Sequence, residues 1–151
     1  MTVRDALGVI PDEGSRSSTL WVMPVKSICG VIFVSEHVEK LASFYSRGLG
    51  IEFEKEDHGG LDIHFGTDIG TVHFAIHPPS NFGDRGPSRG TAVAFQVDSI
   101  AAHLDTLQEL GAQVVTEPHD EGFGMVVTLA DPDGNLFELV ELTHEFAAQS
   151  G

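Results

Sequence analysis

No lysine or arginine follows Arg89. Residues 90–151 carry eleven acidic side chains and no permanent cation, while residues 1–89 hold all eight basic residues and the other twelve acids. The first stretch is therefore at −4 and the second at −11, within a total of −15. Binding by phosphate neutralisation needs a basic stripe, so nucleic acid is excluded as a main partner. The same balance disfavours anionic membrane surfaces, and strongly anionic substrates unless a metal intervenes. Cationic small molecules and metal ions fit it.

Cysteine is nearly absent. Cys29 stands alone, which excludes an internal disulfide framework and any Cys-rich metal site. No apolar run is long enough to cross a bilayer, and no secretory h-region follows Met1. The expectation is a cytoplasmic protein without a membrane partner. No Ser/His/Asp set sits near a nucleophile elbow, and no glycine-rich stretch follows a strand in phosphate-loop spacing. What is present suffices for a core. At 41% hydrophobic and 21% charged, the composition is that of a folded protein rather than a disordered one. A chain of 151 residues suits one domain, or two small modules sharing a core.

The organisation is that of two similar halves. Residues 1–26, with Pro11, Gly14 and Pro24, read as an N-terminal arm that is either loose or docked through Leu20, Trp21 and Met23 on a partner subunit, with Trp21 packed on its own domain as the plainer reading. The first module, 27–77, opens on the apolar run Ile28–Val34. Val38, Leu41, Ala42 and Tyr45 then fall on one face of a helix predicted over 38–47 and stopped at Leu49-Gly50. Strands are predicted over 51–56, 61–65 and 71–77, with turns at Gly59-Gly60 and Asp68–Gly70. The linker 78–90 is rich in Pro and Gly and holds Phe82, Arg85 and Arg89. The second module, 91–142, repeats the order. It has a strand over 91–97, a helix marked by Ile100, Leu104 and Leu107 and ended at Gly111, then strands over 114–117, 125–130 and 136–141. Pro118–Gly124 reads as a mobile mouth loop carrying Phe123, and 143–151 as a C-terminal tail. The helical landmarks recur about 62 residues apart, as in an internal repeat. The fold class is α+β, two βαβββ modules forming curved mixed sheets around a cup-shaped cavity.

Side-chain alternation sorts the strand residues into two rows. Phe137 and Leu139 face a helix, which leaves Glu138 on the cup side. Val72, Phe74 and Ile76 form a core row, leaving His73 and His77 on the other. Leu61, Ile63 and Phe65 oppose Asp62 and His64, and Val93, Phe95 and Val97 oppose Gln96. The inward set is therefore Asp62, His64, His73, His77, Gln96 and Glu138. A carboxylate on an otherwise apolar strand is costly unless something binds it. Imidazoles with a carboxylate suit one divalent ion, Zn, Fe, Ni or Mn. The same row also reads as the wet face of an amphipathic sheet that binds no metal.

Two segments carry a family resemblance. Ala130–Leu142 (ADPDGNLFELVEL) resembles the closing signature of the vicinal oxygen chelate superfamily, the glyoxalase/bleomycin-resistance/dioxygenase group, and Glu39–Phe53 resembles its first helix. The resemblance implies the paired βαβββ fold, a small-molecule site and homodimers. It implies that Glu138 occupies the position of the last metal ligand, often the base. It also implies ligands near Cys29/Gly30 and Ala92, where Gly and Ala offer no side-chain donor and a buried Cys reads as inert packing. That disfavours extradiol ring cleavage and a four-ligand glyoxalase centre. The expected function is small-molecule binding in the cup, of a ligand of cationic type, with Asp62, His64, Gln96, Phe82 and Phe123 as contacts. The alternative is a metal-assisted lyase, isomerase or transferase, with His73, His77 and Glu138 as ligands and Glu138 as the catalytic base.

Overall fold

The apolar stripe Leu41, Ala42, Phe44, Tyr45 and Gly48 is buried on one side of helix α1 (Val38–Leu49). The helix stops at Gly50, whose φ of 70° lies in the left-handed region that glycine tolerates. Around it the computed structural model describes residues 27–28, 30–84 and 91–148. The N-terminal arm with Trp21, Cys29, and the linker arginines Arg85 and Arg89 lie outside the described residues.

The first module contains β1 (Gly30–Val34), α1, β2 (Glu54–Glu56), β3 (His64–Ile69) and β4 (Val72–His77). A 3-10 turn, Pro79–Phe82, follows. The second contains β5 (Ala92–Gln96), α2 (Ala101–Glu109), β6 (Gln113–Asp120), β7 (Gly124–Ala130) and β8 (Leu136–Leu142), with a short α3 (His144–Ala147) after it. Each is βαβββ, and each makes one four-stranded mixed sheet, ordered β1-β4-β3-β2 and β5-β8-β7-β6. The parallel pairs are β1 with β4 and β5 with β8; the remaining neighbours are antiparallel. Among the described residues no helix is long and apolar enough to cross a membrane.

Both sheets turn their apolar faces onto one core. Phe33, Phe74 and Ile76 come from sheet one, and Val127, Leu129, Phe137 and Leu139 from sheet two. Tyr45 lies between them, its ring 5.6 Å from Phe74 and 5.5 Å from Phe137, both edge-on. Such edge-to-face contacts suit the positive rim and negative face of aromatic rings. Because each sheet spends its apolar face on this shared core, the opposite faces point away from it. Those faces carry His64, His73 and His77 on sheet one and Gln96 and Glu138 on sheet two.

Several boundaries differ from the sequence expectation. The mouth loop shrinks to residues 121–123, because β6 runs on through Pro118 and His119 to Asp120. This strand is an edge strand with register shifts between Val114 and Thr116 and between Thr116 and His119, where a proline without an N–H is tolerated. Strand β2 keeps only Glu54–Glu56 of the predicted 51–56. Leu61 and Ile63 are exposed rather than core, since β3 begins only at His64. Instead of turning at Asp68, β3 continues to Ile69 and pairs it with Val72. Gly70, at φ 61°, then makes a two-residue hairpin turn.

Candidate functional site

On the non-core face of sheet one, the β2–β3 hairpin sets Glu56 opposite His64, and β3–β4 pairing sets Asp68 opposite His73. Three imidazoles converge on one carboxylate oxygen. Glu56 Oε2 lies 3.0 Å from His64 Nε2, 3.3 Å from His73 Nε2 and 3.6 Å from His58 Nε2. His64 is 1% exposed, which is unusual for an imidazole facing a carboxylate. Its Nδ1 meets the Asp62 carbonyl at 3.0 Å. His73 Nδ1 meets Asp68 Oδ1 at 2.8 Å, and this hydrogen bond, with the charges of Glu56 and Asp68, raises the His73 pKa above 6.5. Among the described residues, Glu56, His58 and His64 are the group of three ionisable donors whose ligating atoms lie within 4.8 Å of one another.

His77 stacks on His64, with ring centres 3.8 Å apart and planes at 19°. Its protonation is fixed by Asn81. The Asn81 Oδ1 accepts from the Asp62 N–H at 2.8 Å, so the amide orientation is set by the backbone. Its Nδ2 then donates to the Asp62 carbonyl and to His77 Nδ1, each at 3.0 Å. His77 is thus a neutral imidazole with its proton on Nε2. Burial lowers its pKa to about 4, and the neighbouring imidazoles act in the same direction. A nitrogen that accepts from Asn81 and one that carries a proton leave His77 no lone pair for a metal.

Sheet two carries Glu138 separately. In register it sits between Ala94 on β5 and Thr128 on β7. It is half-buried, and Thr128 Oγ1 donates to its Oε1 at 3.3 Å. So the expected set of His73, His77 and Glu138 is divided between two sheets. Of these three, only His73 joins the Glu56 group. Gln96 lines a cleft of about 560 Å³ with Leu49–Glu52, Thr67–Gly70 and Val97, to whose lining neither Glu56 nor Glu138 contributes. Asp62 is tied to Asn81 and Ser80, which makes it a brace for the turn after β4. Phe82 lies edge-on to His77 at 5.4 Å. Phe123 is half-buried, and its carbonyl accepts from the Thr143 N–H at 3.0 Å.

A four-ligand centre drawing on both modules does not fit these residues. Gly30 and Ala92 supply no donor at the first strand of either module. The pairing Ile32 with Ala75 is the module-one counterpart of Ala94 with Glu138, so Ala75 stands where a second carboxylate would. Sequence reading missed Glu56 and His58. The signal was there: Glu56-x-His58, the Gly59-Gly60 turn, then His64, which a hairpin folds onto one face.

Residues 28–139 match the family model described as the Glyoxalase/Bleomycin resistance protein/Dioxygenase superfamily. No curated protein sequence matches the chain. Similar solved structures include a glyoxalase/bleomycin resistance protein/dioxygenase family enzyme from Burkholderia phytofirmans PsJN. It has 15% identity, covers 76% of this chain and 98% of that one, and gives a TM-score of 0.63. A member of the superfamily from Sphaerobacter thermophilus DSM 20745 is 25% identical over 77% of this chain and 97% of its own, with a TM-score of 0.58. TnmS3, an antibiotic binding protein from Streptomyces sp. CB03234, is 19% identical over 81% and 100%, with a TM-score of 0.59.

Proposed function

Since this chain belongs to the glyoxalase/bleomycin resistance protein/dioxygenase superfamily, we propose that it is a small-molecule-binding protein whose ligand lies against the Glu138 face of sheet two. One observation carries the reading. Glu138 is a half-buried carboxylate set in register between Ala94 and Thr128, and its side-chain hydrogen bond is the 3.3 Å contact from Thr128. A carboxylate so placed is poorly compensated, and a bound polar group would satisfy it. Its module holds no lysine or arginine, which favours a cationic ligand. An antibiotic binding protein stands among the similar solved structures, which adds antibiotics to the compounds to test. Since the two polar sheet faces point away from one core, a homodimer would close the cup by setting sheet one of one copy against sheet two of the other.

The test is a thermal-shift screen of cationic aromatic compounds on the wild type and on Glu138→Gln. The reading expects stabilisation in the wild type that the variant loses. If no compound raises the melting temperature, or if the variant responds equally, the reading fails. A second reading, metal-assisted lyase, isomerase or transferase chemistry with Glu138 moving a proton, draws on the Glu56–His group. It requires turnover that Glu138→Gln abolishes while ligand binding persists.

A further inference from the structure

We propose that Glu56, His58 and His64, whose ligating atoms lie within 4.8 Å of one another, form a binding site for one late first-row divalent ion of the zinc class, on sheet one and independent of Glu138. The donor geometry is the first reason. A tetrahedral ion with ligand bonds of ~2.0–2.1 Å separates its donors by ~3.4 Å. His64 Nε2 and His58 Nε2 lie 3.0 and 3.6 Å from Glu56 Oε2, on both sides of that value. One carboxylate and imidazole nitrogens are donors that zinc, nickel and cobalt accept, and that magnesium and calcium do not favour.

The hydrogen-bond chemistry is the second. His64 Nδ1 faces the Asp62 carbonyl, which can only accept, so Nδ1 carries the proton. In the neutral ring Nε2 is then a lone pair, aimed at an oxygen that also bears lone pairs, 3.0 Å away. The two repel unless a cation lies between them. His73 shows the same polarity, with Nδ1 on the Asp68 carboxylate and Nε2 toward Glu56. Metal-ligating imidazoles characteristically give their other N–H to a backbone carbonyl or a carboxylate. His64 uses the first kind of partner. A proton could bridge one imidazole to Glu56. Two imidazoles within one ion's reach of the same oxygen are accounted for together by a multivalent ion.

The third reason is a recess made by a missing side chain. Gly66, on β3 beneath the group, has no positive φ to explain it. A Cβ there would lie 2.6 Å from His73 Nε2 and 2.7 Å from Glu56 Oε2. Any other residue would displace the Glu56 carboxylate.

The test uses the full chain, stripped with chelator and titrated with Zn²⁺ by calorimetry. Co²⁺ serves as a spectroscopic probe of a tetrahedral nitrogen-and-oxygen site. One Zn²⁺ per chain is expected, with tetrahedral Co²⁺ absorption and no response to Mg²⁺. His58→Ala changes an exposed ligand and keeps the fold, and should weaken Zn²⁺ binding ~10–100-fold. Gly66→Ala removes no donor, and should weaken it to a similar degree. Glu138→Gln should bind as the wild type does. Metal-free melting temperatures of His58→Ala and Gly66→Ala within a few degrees of wild type establish that a loss is not unfolding. The proposal is overturned if the wild type takes up no Zn²⁺. It is equally overturned if His58→Ala and Gly66→Ala retain full affinity, the signature of adventitious binding at other histidines.

Discussion

The Tyr45 hydroxyl donates to Asp131 Oδ2 at 2.8 Å, joining the helix of the first module to the β7–β8 turn of the second. The other Asp131 oxygen accepts the backbone N–H groups of Asp133 and Asn135, each at 2.9 Å, and the Asn135 side chain reaches both oxygens. Asp131 is 3% exposed. The turn residue is therefore also a bridge between modules. Burial, reinforced by the negative charge of Asp131, raises the Tyr45 pKa well above 10.

Tyr45→Phe should lower stability by ~1–3 kcal/mol at neutral pH, since it leaves a buried carboxylate short of one donor. Urea denaturation measures this. The pH dependence has a definite sign. Above pH 10 the unfolded chain loses the phenolic proton and the folded chain keeps it, so wild-type stability falls as pH rises past 10. Tyr45→Phe should lack that fall. Tyr45 is the sole tyrosine, so phenolate absorbance reports this residue alone and should appear only with unfolding. Phenolate formation in the folded protein near pH 10 would contradict the buried bridge.

Gly48→Ala should destabilise the protein although alanine favours helix. A Cβ at Gly48 would lie 2.5 Å from Leu107 Cδ2, and Leu107 is wholly buried under α1. Overpacking of ~1–3 kcal/mol exceeds the gain in helix propensity of ~1 kcal/mol. A lower melting temperature is the expected outcome; a higher one would mean that the α1–α2 contact yields freely.

Glu141→Ala should cost ~1 kcal/mol, as loss of a helix cap does. Glu141 Oε2 accepts the Ile100 N–H at 2.9 Å and so serves the start of α2 from a distant strand. Glu141→Gln keeps an acceptor and should recover part of the loss in the same urea titration.

Phe137→Ala should remove ~3–5 kcal/mol, the usual range for a buried aromatic. Its ring touches Phe44 and Tyr45 of the first module as well as its neighbour Phe95. The two modules should consequently melt together, as one calorimetric peak in wild type and variant alike. Two resolved transitions would show that the core is not shared.

Much of the fold was legible because it rests on local periodicity. The spacing of Val38, Leu41, Ala42 and Tyr45 places one buried face on α1, and Gly50 ends the helix through its positive φ. Strand alternation places Phe74, Ile76, Phe137 and Leu139 in the core, as found. Alternation also puts His64, His73, His77 and Glu138 off the core face. It cannot say which of them meet. That depends on strand register and on the packing of one sheet against the other.

The sequence by itself determined the βαβββ repeat, the acidic second half and the family, because hydrophobic period, charge and turn chemistry are written residue by residue. Only the tertiary structure decided the neighbours of each polar side chain. Hairpin pairing brought Glu56 to His64, and Asn81 left His77 neutral. One core between two sheets kept Glu138 from His64, His73 and His77. Those outcomes come from contacts between residues far apart in the chain, where local pattern carries no information.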